Sequence, residues 1–583
     1  MNRKRLVLFG VALALILVGG VVGWWGHTDG GDLTIQETQI ETEGGTIDAY
    51  LYVPPGVTPD DPAPGVLATH GYINSKETQA PFAIELARRG HVVLAIDQTG
   101  HGYSDPPAFS QGWGGPPALA YLSEHELVDE DRIALEGHSM GGWASVAAAA
   151  TYPDRYESMV LAGSSTGSSG APPGNATFPR NLGVVYAEYD EFHWLMWETE
   201  TAPAAPESEK LQSVFGTDER IETGRTYGDV ESGTARALYQ PSTTHPGTHH
   251  SPTAVGQTVE WIERTTGGDT SLDPDDQVWH WKELGTAVAL LGGFLFLFPT
   301  IGTLSEAGAL SAATRSVPEP VAERDRGWLV SVALTALLPV VTYYPLMLLG
   351  GQMMPLTAVT PQNETNSIVL WVLGNAAIIA LLLGVWHVRS DRTLAAARAR
   401  YGLDAGGGAG TIARSVAIAA GTALALLALL FAFDAVFGLD FRAWVLGLKL
   451  PSALHVRIGA GYFPAFLAFF LALELLLHAR LRTPAATDSL RRAIAGNVGL
   501  LAGPFVGFLA VQYGWLFATG ALPLPITALQ AIIAFQFVGV LVGVGAVSTY
   551  SFHRTGRVWV GAVLNALLVT WLVVASQATH LPL

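Results

Sequence analysis

Between residues 284 and 575 the chain carries about eight apolar stretches, each long enough to cross a bilayer, and no other feature narrows its possible folds so far. An α-helix rises 1.5 Å per residue, so about 20 apolar residues span a hydrocarbon layer of ~30 Å while the helix satisfies its own backbone polar groups. The stretches lie at about 284–304, 328–349, 368–387, 415–437, 462–478, 496–517, 529–549 and 558–575. A further run, 6–25, follows Asn2-Arg3-Lys4-Arg5 and ends in Gly23-Trp24-Trp25-Gly26. A secretory signal would have an apolar core of about 7–15 residues closing on a small-x-small cleavage site, so this run reads as an uncleaved anchor. The expected organisation is an anchor over 1–26, a water-facing domain over 27–280 and an all-α polytopic transmembrane domain over 281–583.

Charge orients the chain. The net charge of −18 averages two opposites: residues 27–283 hold 39 acidic and 12 basic side chains, and the remainder holds 11 and 20. Arg315, Arg324 and Arg326 fall in one alternate loop between spans, and Arg389, Arg392, Arg398 and Arg400 in the next. Arg480, Arg482, Arg491 and Arg492, then Arg554 and Arg557, fill the last two, whereas 351–366 and the loop near Gly520 carry no Lys or Arg. Basic loops stay cytoplasmic, so the N-terminus is expected in the cytoplasm of a multi-pass cell-membrane protein and the acidic domain outside it. Arg442, Lys449 and Arg457 lie on the expected outer side, where an interfacial amphipathic helix would account for them. An acidic surface excludes a nucleic-acid role, which needs clustered Lys and Arg, and fits a salt-adapted, halophilic source. Cysteine is absent, so neither disulfides nor thiol chemistry contributes.

The acidic block alternates strand-like and helix-like segments, the pattern of a mostly parallel sheet with helices on both faces. An antiparallel pair joined at Gly44-Gly45 ends in a strand at 48–53, and apolar strands follow at 63–68, 91–96, 132–136, 158–162, 182–187 and 236–239. Helices are expected at 81–89, 141–151 and 255–264. Within this series lies Gly137-His138-Ser139-Met140-Gly141, between the strand residues Ile133-Ala134-Leu135 and the helical run from Trp143 to Ala150. A serine on a sharp strand-to-helix turn presents its hydroxyl outward, flanking glycines permit close approach, and the helix start directs positive dipole at a developing oxyanion.

This segment resembles the α/β-hydrolase superfamily, whose serine hydrolases include esterases, dienelactone hydrolases and prolyl-oligopeptidase-like enzymes. Thr69-His70-Gly71-Tyr72 is similar to its oxyanion loop after the third strand, and Asp97 with Gly100-His101-Gly102 and Ser104-Asp105 is similar to its segment after the fourth. The likeness runs from about residue 34 to 264. It implies Ser139 as nucleophile and an oxyanion hole built from the backbone N–H groups of Met140 and Tyr72. His70 and His101 read as loop-shaping hydrogen-bonding residues.

A triad in the order Ser, acid, His needs an imidazole to take the serine proton and a carboxylate to hold its tautomer. Asp190, just beyond the strand at 182–187, is the expected acid, with Glu188 and Glu191 as rivals. His245, between the strand at 236–239 and the last helix, is the expected base, with His249 and His250 as rivals. These three histidines lie in a Pro/Gly loop rather than on one helix face, so no metal is expected there, and no cofactor. The implied chemistry is acyl transfer to Ser139, with small-molecule or lipid-like esters foremost and amides or thioesters next. The short loop 166–180 leaves no room for a large lid, so an open site is expected.

Eight spans exceed what anchoring needs, since one already inserts irreversibly. Asp434 and Glu474, with Asn375, Gln536 and Asn565, place polar groups inside them, and such groups mark functional paths. Two readings therefore stand: an extracytoplasmic esterase held at the bilayer, or a transporter or membrane sensor whose hydrolase-like domain binds or processes a ligand.

Overall fold

A computed structural model describes residues 3–268, 271–320, 322–390, 393–404, 408–444, 446–484 and 489–583, which leaves Arg392 outside the described residues. The chain divides into two compact units. One comprises Val22–Leu284, Val511–Leu529 and Ser576–Leu583; the other comprises Met1–Val21, Gly285–Ala510 and Gln530–Ala575. The first unit thus takes in two stretches from beyond residue 280 that sequence alone assigned to the membrane domain.

That first unit is built on a nine-stranded sheet in the order β1-β2-β4-β3-β5-β6-β7-β9-β8. The strands are β1 (Thr34–Thr42), β2 (Gly45–Val53), β3 (Ala63–Thr69), β4 (Val92–Ile96), β5 (Val128–His138), β6 (Ser158–Ala162), β7 (Leu182–Val185), β8 (Thr226–Tyr227) and β9 (Arg236–Tyr239). The six central strands, from β4 through β9, run parallel, while β2 joins β4 and β8 joins β9 antiparallel. Successive side chains along a strand point to opposite faces, and both faces here are apolar. Leu67, Leu94, Leu135 and Leu161 pack with Leu119 and Val146 on one side. Val66, Val93, Ala134 and Val160 pack with Phe82, Val259 and Ile262 on the other. The helices that supply these partners follow an N-terminal helix α1 (Arg3–His27): α2 (Ala80–Arg88), α3 (Gly115–Ser123) and α4 (Met140–Thr151). After them come α5 (His193–Met196), α6 (Glu209–Phe215) and α7 (Pro252–Thr266). So α3 and α4 cover one face, and α2 and α7 the other.

The second unit is helical. Seven of the described helices are long and apolar enough to cross a membrane, and an eighth is obtained if Arg326–Val341 and Tyr343–Met353 form one span bent by 47°. Pro339 precedes that bend; a helix-interior proline removes a backbone donor and crowds the preceding turn. The last expected span corresponds to the shorter apolar helix Trp559–Ala575, whose 17 residues lie at the lower end of the spanning range. Two of the polar groups expected inside this unit pair with neighbouring helices. Asn375 donates to Thr342 Oγ1 at 3.2 Å and to Trp371 O, and Asn565 donates to Ser548 Oγ at 2.9 Å. The expected interfacial helix near Arg442 is replaced by a hairpin, Phe441–Ala443 against Leu446–Leu448. There the alternation of residues has period two rather than 3.6, and Asp440 neutralises Arg442 at 2.5 Å.

Candidate active site

Strand β5 runs into the tight turn that carries Ser139, and α4 begins at the next residue. Ser139 has φ 55° and ψ −123°, a conformation in which an L-residue is strained and which persists only where surroundings over-determine it. The flanking glycines are part of that surrounding. A Cβ on Gly141 would sit 2.0 Å from Thr69 O, and one on Gly137 would sit 2.5 Å from Gly141. The Thr69–Tyr72 loop lies against the serine, since a Cβ on Gly71 would be 3.0 Å from Ser139 Cβ. Met140 is the first residue of α4, so its N–H belongs to the helix start, and Tyr72 belongs to the loop after β3.

Asp190 and His245 arrive on the loops after β7 and β9. These strands are parallel neighbours, and a bridge between Tyr189 and Thr244 extends their pairing to the residues just before the two side chains. In consequence His245 Nδ1 donates to Asp190 Oδ2 at 2.8 Å, and His245 Nε2 lies 2.8 Å from Ser139 Oγ. Asp190 is fully buried, and its other oxygen accepts from Phe192 N at 2.8 Å. Burial alone would lower the His245 pKa, but the Asp190 carboxylate and, behind it, Glu191 raise it above the ordinary 6.5.

The rival residues take other places. Glu191 Oε2 accepts the backbone N–H of His245 at 2.8 Å, and burial with the neighbouring Asp190 charge pushes its pKa up to about 7. Glu188 donates its N–H to Pro241 O and is partly exposed. His249 Nε2 meets Gln79 Oε1 at 2.8 Å, and the His250 ring packs beside Trp279. His70 and His101 hold loops: Gln98 N donates to His70 Nε2 at 3.0 Å, and His101 Nδ1 lies 3.1 Å from Thr99 O. Among the described residues no group of three or more His, Asp or Glu is arranged to hold a metal ion.

Sequence reasoning missed several contributors. His138, inside the pentapeptide, sets its Nε2 3.0 Å from His245 O, with the two rings 4.9 Å apart, and burial keeps it neutral well below 6.5. Tyr513 donates to Glu191 Oε1 at 2.8 Å, and Phe517 packs edge-on against Tyr189. The chain's last residues also enter this unit. Thr579 exchanges backbone hydrogen bonds with Ala108 and Gly100, and His580 Nε2 lies 3.2 Å from the Tyr72 hydroxyl. Beyond the short loop 166–180, residues 186–235 carry α5 and α6, and Ala202 N donates to Gly520 O at 2.9 Å. The available sequence signals were a Gln512-Tyr513 pair inside an apolar run and a histidine near the chain's end.

Residues 64–194 match the family model described as the α/β hydrolase fold. The chain is 35% identical over 101 residues to 2-(acetamidomethylene)succinate hydrolase of Mesorhizobium japonicum, covering 17% of this chain and 34% of that one. It is 28% identical over 191 residues to monoacylglycerol lipase of Mycolicibacterium smegmatis, covering 31% and 63%. The chain thus spans less than two thirds of the length of either relative. Among solved structures, the dienelactone hydrolase of Anabaena variabilis is matched at 16% identity and a TM-score of 0.28, over 40% of this chain and 99% of that one. The family match, together with a mostly parallel sheet that carries Ser139 on the turn into α4, makes the first unit of this chain an α/β-hydrolase domain.

Proposed function

We propose that the chain is a multi-pass membrane serine hydrolase that cleaves esters through an acyl-enzyme on Ser139. The observation that carries this reading is the continuous hydrogen-bonded line from Ser139 Oγ through His245 to Asp190, 2.8 Å at each step, on a turn that holds the serine in strained geometry. His245 Nε2 takes the serine proton as Oγ attacks the ester carbonyl. The backbone N–H groups of Met140 and Tyr72 face the oxygen that becomes negative. His245 then returns the proton to the departing alcohol, and water, deprotonated by the same imidazole, releases the acid. Asp190 keeps Nδ1 protonated and stabilises the imidazolium. No step calls on a cofactor.

The similarity to a lipase and to a succinate-derivative hydrolase supports hydrolysis and leaves the acyl group open, so esters of membrane-derived or other apolar molecules are the substrates we assign. The arginine distribution supports an extracytoplasmic placement of the hydrolase domain, residues 27–280, behind an anchor at 1–26 and before a membrane domain at 281–583, from which 511–529 and 576–583 join the hydrolase's compact unit. Hydrolysis of short p-nitrophenyl esters by the purified full chain, abolished in Ser139→Ala, is the expected result. Turnover unchanged in that variant would overturn the assignment.

A further inference from the structure

The helical unit contains a cavity of about 650 Å³ between Arg326–Val341, the segment 477–483 that follows Ala453–Leu475, Leu490–Thr519 and the end of Ala528–Thr555. One part of its wall is cationic: Arg324, Arg482 and Arg492 line it together with His478 and His553. No Asp or Glu is among the described residues that line it. The remainder of the wall is apolar, with Leu477, Leu481 and Leu500 beside Trp328.

Arg482 is the unusual member. Its side chain is only 5% exposed, its Nε donates to His478 O at 3.0 Å, and its guanidinium lies 5.0 Å from the Phe552 ring, which stacks in turn on His478 at 4.2 Å. These contacts fix the plane of the fork, yet both terminal nitrogens, Nη1 and Nη2, are buried without a hydrogen-bond partner. Leaving a charged donor buried and unmatched is among the costliest arrangements a fold can carry, and a bidentate anion relieves it. The local backbone serves the same end. The helix Ala453–Leu475 widens into a π-turn over Leu476–Arg480, a device often found at functional sites, and this turn carries His478 into the wall just before Arg482.

We infer that this cavity binds the phosphate-bearing headgroup of an anionic membrane lipid, with the Arg482 fork on the phosphate oxygens and the acyl chains along the leucine wall. The inference rests on the helices of this unit spanning a membrane; it is independent of the chemistry at Ser139. Basic pockets between membrane helices are suited to such headgroups, and the apolar wall distinguishes a lipid from a free ion. Arg324 and Arg492, both exposed, supply attraction at the mouth.

The test uses the full chain, delipidated in a zwitterionic detergent, with phosphatidylglycerol, phosphatidylcholine and inorganic phosphate as separate probes read by native mass spectrometry. Phosphatidylglycerol is expected to bind at least tenfold more tightly than phosphatidylcholine. Arg482→Gln should reduce that binding about tenfold or more, Arg482→Lys should reduce it less, and the exposed Arg492→Gln, which does not endanger folding, should weaken it by a few-fold. Unchanged thermal unfolding of the lipid-free Arg482→Gln chain separates lost binding from lost folding. Equal binding of the two lipids, or phosphatidylglycerol binding unaffected in both glutamine variants, overturns the proposal. Competition by millimolar inorganic phosphate as effective as that by lipid overturns it in favour of a free-ion site.

Discussion

The triad in the hydrolase unit and the basic cavity in the helical unit treat their buried charges in opposite ways. In the hydrolase unit, Ser139 is matched with His245, His245 with Asp190, Asp190 with Phe192 N, and Glu191 with both His245 N and Tyr513. In the helical unit, both terminal nitrogens of the Arg482 fork are buried without a hydrogen-bond partner, whereas Glu474 has His478 Nε2 at 3.3 Å. The contrast separates a site organised in advance for chemistry from one whose charge is completed by something bound. Preorganised partners fix geometry before substrate arrives, whereas an unmatched guanidinium in an apolar setting favours whatever anion can enter.

The largest effects are expected at the serine. Ser139→Ala or His245→Ala is expected to lower kcat on p-nitrophenyl esters by about five to six orders of magnitude with the fold intact by circular dichroism, because the two act as one unit. Asp190→Asn should cost about four orders, since an amide can hold the imidazole in the wrong tautomer. If Asp190→Asn is near wild type and Glu191→Gln is severe, the acid has been assigned to the wrong neighbour.

Smaller effects are expected around the imidazole and in the helical unit. His245 must be neutral to accept the serine proton, and its pKa is raised above 6.5, so kcat/KM should climb with pH with an acid-limb midpoint above that value. Glu191→Gln removes one of the charges that raise it, and the midpoint should move to lower pH; a pH–rate profile checks both direction and order. Tyr513→Phe removes the hydrogen bond to Glu191 Oε1 and is expected to change kcat by about tenfold or less, with KM for a short ester little altered. In the helical unit, a Cβ on Gly561 would sit 2.1 Å from Glu474 Oε1, so Gly561→Ala should destabilise the detergent-solubilised chain by about 1–3 kcal/mol through overpacking. The smallest effect expected is a rise of a few degrees in the Tm of the acidic unit in molar NaCl, which screens its self-repulsion.

Much of the hydrolase unit is legible in its sequence because runs of about four to eight residues between turn residues are too short for a stable helix and fit buried strands: β6 and β9 fall where those runs lie. Ser139 is legible for a related reason, since the Gly-x-Ser-x-Gly spacing is what close packing of β3 against α4 demands. Choosing Asp190 over Glu191 is another matter. The two are adjacent, and only the Tyr189–Thr244 bridge determines which carboxylate meets the imidazole and which meets its backbone. Helix α3 escaped notice because Gly115-Pro116-Pro117 reads as a breaker, although proline is well suited to a first helical turn. The Tyr513 and His580 contacts bridge hundreds of residues of sequence, and no local pattern encodes them. The Arg482 fork was visible only as one arginine among several in a basic loop; its burial is a property of the packed helices.

The most direct test of the account is labelling of the intact chain with a membrane-impermeant fluorophosphonate, followed by peptide mapping. Modification of the peptide carrying Ser139 in intact cells, lost in Ser139→Ala and reduced in His245→Ala, is the predicted result, and it would place the nucleophile on the outer face. Labelling of a different serine, or ester hydrolysis that survives in the Ser139→Ala protein, would contradict it.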